Sequence, residues 1–85
     1  MKLLVVEDEK KLCDMIAKSL HQTGYEVDVC NDGEEALDMI YAEMYDLIVL
    51  DLNLPGVDGM EILRELRKED EETKVLILSA RSQIA

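Results

Sequence analysis

The stretch Asp46-Leu47-Ile48-Val49-Leu50-Asp51, followed at once by Leu52-Asn53-Leu54-Pro55-Gly56-Val57-Asp58-Gly59, decides how this chain is read. A short run that is apolar at every position is a strand buried on both faces. Asp51 closes it, and a carboxylate there is costly to place unless something uses it. A second run, Leu3-Leu4-Val5-Val6, ends in the same way with Glu7-Asp8. Two strands of this kind, both ending in carboxylates, predict one shared acidic pocket.

Outward from this stretch, strand and helix patterns alternate. Residues 2–7 read as the first strand and 9–22 as the first helix, with Leu12, Met15, Ile16 and Leu20 at three- and four-residue spacing. Gly24 fits the position just past that helix. Residues 25–30 alternate apolar and polar, the mark of an edge strand with one wet face. Asp32 and Glu35 have capping-box spacing before a second helix that runs to Tyr41 or Met44 and buries Ala36, Leu37 and Ile40. The third strand is 46–51. Asp58, with Glu61 three residues on, caps a third helix over 59–68 that buries Ile62, Leu63 and Leu66. A solvated connection, Glu69-Asp70-Glu71-Glu72, leads to a fourth strand, 74–79.

That alternation predicts an α/β fold, a doubly wound parallel sheet with helices on both faces. Ligands of such sheets sit at the carboxyl ends of the strands. Glu7, Asp8, Asp51 and Ser79 all fall at that end. Three carboxylates close together repel, so one takes up a proton or a cation binds. Oxygen ligands without His or Cys select Mg2+ or Mn2+. Asp8 and Asp51 are the direct ligands of this reading; Glu7 acts through a water, and Asn53 offers its backbone carbonyl. The bland alternative for Asp8 is a helix cap.

Composition narrows the partners. Eighty-five residues make one small domain, and the net charge of −11 argues against binding nucleic acid or an anionic membrane surface. With three Tyr and no Phe or Trp, the core must be aliphatic, and the five Met are expected to fill it. Cys13 and Cys30 lack metal-ligand or CxxC spacing and read as reduced structural thiols of a cytoplasmic protein. No signal peptide is read at the N-terminus, and no apolar run is long enough to span a bilayer. His21, the single histidine, is expected at the surface, and so are Asp28 and Asp32.

Val5-Val6-Glu7-Asp8-Glu9, then Asp51-x-x-x-Pro55-x-x-x-Gly59, then Leu78-Ser79-Ala80, resemble in order and spacing the receiver domain of bacterial two-component response regulators. The match runs over the whole chain, 1–85, and the first helix most resembles winged-helix regulators of the OmpR/PhoB type. The resemblance implies a flavodoxin-like sheet of family order 2-1-3-4-5. It implies that Asp51 accepts a phosphoryl group from a sensor histidine kinase with Mg2+, and that Ser79 hydrogen-bonds the transferred group. It also implies a signalling switch rather than a turnover enzyme, in a parent protein with a DNA-binding output domain.

The chain departs from the family pattern in one respect. It supplies four strands of five, so the lysine that the family carries on the fifth has no counterpart; Lys74 and Arg81 do not occupy its place. It therefore reads as a receiver truncated after the fourth strand. That strand is apolar on both faces, and as an edge it invites self-association. Two other functions stay open: a folded fragment that is not phosphorylated and acts in protein interaction, and a haloacid-dehalogenase-type phosphatase. The phosphatase would place a second Asp where this chain has Asn53.

Overall fold

The structure is a computed structural model and describes residues 1–78. Seven elements alternate: β1 Lys2–Val6, α1 Lys10–Gln22, β2 Glu26–Cys30, α2 Gly33–Ala42, β3 Leu47–Asp51, α3 Gly59–Glu69 and β4 Lys74–Leu78. Each lies within two residues of its expected span. The strands pair in the order β2-β1-β3-β4, all parallel. The two interior strands carry the continuous apolar runs, because a parallel strand with neighbours on both sides is covered on both faces. Val5 stands opposite both Val29 and Val49, and Val49 opposite Leu76. β2 is at the edge, as its alternation predicts.

Alternate residues of β1 and β3 feed two core layers. Leu4, Val6, Ile48 and Leu50 meet Ala36 of α2 and Ile62 and Leu66 of α3 on one face. Val5 and Val49 meet Cys13 of α1 on the other, flanked by Ile16 and Leu20. Helices therefore cover both faces. Leu3, Leu4, Val5 and Val6 are all fully buried, which is where most of the hydrophobic stabilisation of this small domain resides.

Two expectations about burial are corrected. The inward stripe of α1 is Cys13, Ile16 and Leu20, while Leu12 and Met15 lie on its exposed shoulder. The spacing alone allows either stripe, and the size of the side chains favours the wrong one; the small thiol wins because α1 lies close to β1, with Cys13 Sγ 3.8 Å from the Val5 carbonyl oxygen. The methionines are also not core filler: Met1, Met15, Met44 and Met60 are exposed, and only Met39 packs against the core. Both cysteines are buried free thiols, and burial pushes the Cys30 thiol up to about 11.

The caps fall where the sequence puts them. Asp32 accepts from the Glu35 N–H at 2.8 Å and Asp58 from the Met60 N–H at 3.4 Å. α1 differs: Glu9 is its N-cap and makes no side-chain capping bond. Asp8 is therefore not spent as a cap. Asp28, expected in solvent, accepts the Tyr45 hydroxyl at 2.7 Å and pairs with Lys2 at 3.9 Å, because β2 lies across β1 from the start of β3. His21 is exposed in the last turn of α1. No helix among the described residues is long and apolar enough to cross a membrane.

Candidate functional site

The strand order creates the site. From β1 the chain winds to β2 on one side and then returns to place β3 on the other, so the loops after β1 and β3 diverge at a topological switch point. The β1–β3 ladder runs to Val6 opposite Leu50. Glu7 and Asp8 leave one strand just past that pair, and Asp51 ends the other. Carboxylate oxygens of Glu7, Asp8 and Asp51 lie within 4.8 Å of one another. Glu7 and Asp51 are buried and Asp8 is exposed.

Two backbone N–H groups aim the buried carboxylates. The Glu9 N–H donates to Glu7 Oε2 at 2.9 Å, and the Asn53 N–H donates to Asp51 Oδ1 at 3.0 Å. Each bond spans two residues and fixes a side chain against its own loop. Burial, and then the nearby Asp8 and Asp51 carboxyls, raise the Glu7 pKa above the ordinary glutamate value. A group of this kind is relieved by a bound proton or by a cation.

The loop after β3 is held close by α3. The Gly59 N–H donates to the Leu52 carbonyl at 3.3 Å. A Cβ at Gly59 would stand 2.6 Å from the Asp51 carbonyl oxygen and 2.7 Å from Leu52 Cα. No side chain fits between backbone atoms at those distances, so glycine is what lets α3 abut the end of β3.

The triad opens into a cleft of about 450 Å³ lined by Glu7, Asp8, Glu9, Leu12, Ile16, Asp51, Asn53 and Leu78. Another cavity, about 160 Å³, lies between the C-terminal ends of α2 and α3 over Ile40, Tyr45, Ile48 and Leu66. It is away from every strand C-terminus and from the triad. The structure brings together Glu7, Asp8, Asp51 and Asn53 of the expected site; Ser79 lies outside the described residues.

The donor set fits a hard divalent cation. Three carboxylates from two loops converge within the span of one coordination sphere, and neither His nor Cys intrudes. One residue here carries no motif of its own. Asn31, in the loop after β2, donates its Nδ2–H to the Glu7 carbonyl at 2.8 Å. The only signal for it is topological, since every loop leaving a strand C-terminus borders this end of the sheet.

Comparison with known proteins agrees with this geometry. Residues 3–85 match the model of the response regulator receiver domain. The chain is 45% identical over its full length to the transcriptional regulatory protein TctD of Salmonella typhimurium, and 39% identical to the response regulator MprA of Mycobacterium avium. It spans 38% and 37% of those proteins. Among solved structures, a Francisella response regulator receiver domain superposes with a TM-score of 0.90 at 40% identity, over 96% of this chain and 68% of that one. TrrA of Thermotoga maritima, in complex with Mg2+ and BeF, superposes with a TM-score of 0.88 at 38% identity, over 93% of this chain and 69% of that one. TrrA is also known in complex with the histidine kinase ThkA. With the strand order, the acid triad and the whole-length match in agreement, the chain belongs to the response regulator receiver domain family.

Proposed function

We propose that this chain is a cytoplasmic phosphoacceptor module in which Asp51 takes a phosphoryl group from a histidine kinase in the presence of Mg2+. The observation that carries the reading is the position of Asp51: it ends β3, faces Glu7 and Asp8 across the switch point, and opens into the cleft. TrrA, a similar protein solved both with Mg2+–BeF and with a histidine kinase, supports it.

In this mechanism a carboxylate oxygen of Asp51 attacks phosphorus. The new O–P bond replaces the N–P bond of a phosphohistidine, and the imidazole leaves with the bonding pair. Such transfer depends mainly on positioning and on neutralising charge. The Asn53 N–H keeps Asp51 Oδ1 oriented, leaving Oδ2 as the attacking atom. Asp8, Asp51 and the Asn53 carbonyl would hold Mg2+, with Glu7 acting through a water. When bound, Mg2+ supplies the positive charge that offsets the phosphoryl oxygens. Ser79 donates a hydrogen bond to the transferred group.

Acetyl phosphate with Mg2+ is expected to add one phosphoryl mass to the protein, labile to hydroxylamine as an acyl phosphate is. Intact mass spectrometry reads both. A folded protein that never gains this mass contradicts the reading and leaves an interaction module. Turnover of a phosphate ester would instead indicate a phosphatase, which the Asn53 position disfavours.

The same reading includes DNA-binding output elsewhere in the parent protein, supported by the regulatory names of TctD and MprA. It also includes self-association through β4. Among the described strands β4 is at an edge, and Leu76 and Ile77 are 53% and 39% exposed. Sedimentation velocity should show a concentration-dependent dimer; a monomer across the micromolar range would remove that part.

A further inference from the structure

The loop that follows β2 touches both acid-bearing loops. The Asn31 Nδ2–H donates to the Glu7 carbonyl at 2.8 Å, and the Glu7 N–H donates to the Cys30 carbonyl at 3.0 Å. Both polar backbone groups of Glu7 are thus tied to the end of β2. Two residues beyond Asn31, the Gly33 N–H donates to the Pro55 carbonyl at 3.2 Å. A Cβ at Gly33 would stand 2.0 Å from the Val57 carbonyl oxygen and 2.8 Å from its carbon. The first residue of α2 therefore lies in backbone contact with the loop that follows Asp51. Residues 31–33 grip the Glu7–Asp8 loop with one hand and the 52–58 loop with the other.

This grip falls where β1 and β3 no longer pair with each other. Ladder pairing between β1 and β3 ends at Val6 and Leu50, one residue before the first acid on each strand. Beyond that pair, three carboxylates within 4.8 Å push the loops apart. The backbone bonds that aim Glu7 and Asp51 each stay within a single loop and do nothing to hold one loop against the other. The bonds from Asn31 and Gly33 do, through the end of β2 and the start of α2.

We propose that Asn31 and Gly33 are positioning residues for the cation site: together they set the separation of the Asp8 and Asp51 loops at the value a divalent ion requires. This rests on the reading of the triad as a Mg2+-dependent phosphoacceptor site. Groups that orient metal ligands from outside the coordination sphere typically change metal affinity by about 10- to 100-fold when removed.

The experiment compares wild type, Asn31→Ala, Gly33→Ala and a control, Leu20→Ala, packed against the other core layer at the C-terminal end of α1. Mg2+ affinity is titrated by calorimetry and by amide shifts, with urea stability measured in EDTA. Asn31→Ala and Gly33→Ala are expected to weaken Mg2+ by about tenfold or more, whereas the control stays within about twofold despite its own loss of stability. Phosphorylation by acetyl phosphate should need correspondingly more Mg2+ but approach the wild-type rate at saturation, a split that general destabilisation does not produce. If Gly33→Ala does not fold, Asn31→Ala decides alone. Wild-type Mg2+ affinity in a folded Asn31→Ala overturns the positioning role and leaves the phosphoacceptor reading standing. A wild-type protein that binds no Mg2+ overturns both.

Discussion

Asp51→Asn is expected to abolish phosphoryl transfer to this chain, a loss of at least about a thousandfold, while the fold persists. The amide is a poor nucleophile and its phosphoryl adduct does not form. It remains nearly isosteric, and its oxygen can still accept from the Asn53 N–H that now holds Asp51 Oδ1. Stability should rise by on the order of 1 kcal/mol, because one of three mutually repelling carboxylates has gone. The pH profile gives an independent check. The folded-state pKa of Glu7 lies above its unfolded value, first through burial and then through Asp8 and Asp51. The metal-free folded chain therefore holds that proton more tightly, and it loses stability as pH rises through the folded Glu7 pKa. In Asp51→Asn that loss should shrink. Asp8→Asn behaves differently: the nucleophile survives, phosphorylation falls at low Mg2+ by at least about tenfold, and excess Mg2+ recovers it. Retention of the phosphoryl mass in Asp51→Asn would place the acceptor elsewhere; equal sensitivity of the two variants to added Mg2+ would remove the distinction between nucleophile and ligand.

The elements that locate this site were readable because their chemistry is local. Four apolar residues ending in Asp51, and four more ending in Glu7-Asp8, give buried parallel strands whatever surrounds them. Asp32 and Asp58 mark helix starts by a side-chain bond confined to one turn. Convergence of the acids then follows from topology, since both loops leave neighbouring strands at the same end. What was not readable depends on distances between elements. Cys13 replaces Leu12 and Met15 in the core because of how near α1 lies to β1, a property of no single residue. Asn31 and Gly33 matter through contacts with residues more than twenty positions away, and an Asn followed two residues later by Gly at a strand end is otherwise an ordinary turn.

The consequence is a division of labour at the carboxyl edge of the sheet. The acids themselves repel, yet their loops are held by β1 and β3, which pair with each other only as far as Val6 and Leu50, and by the bonds from Asn31 and Gly33. Placement of Asp51 thus depends on packing in the layer beneath it, where α3 is the element most directly coupled to the loop that follows it. Its first residue touches the Asp51 carbonyl, and its buried residues Ile62 and Leu66 join the core formed by β1 and β3.

Ile62→Ala should therefore be the most damaging conservative truncation in the helical layer. Ile62 is 1% exposed, one turn into α3, and packed in the layer with Leu4, Val6, Ile48 and Leu50. Removing its outer carbons forfeits their burial and leaves a cavity lined by strand residues that cannot collapse without breaking the ladder. The expected cost is about 2–5 kcal/mol. A chain of this length has roughly 4–13 kcal/mol to lose, so much of its stability goes with one side chain. The melting temperature should fall by more than about 10 °C, followed by far-UV circular dichroism because the chain has no Trp. Leu63→Ala, one residue on and only partly buried, is the comparison, with a loss of about 1 kcal/mol. Equal losses in the two would show that α3 does not dock through the face described. If Ile62→Ala is the worse by the stated margin, Mg2+ affinity measured below its melting transition should also weaken, because the residue that anchors α3 also steadies Gly59 against the Asp51 carbonyl.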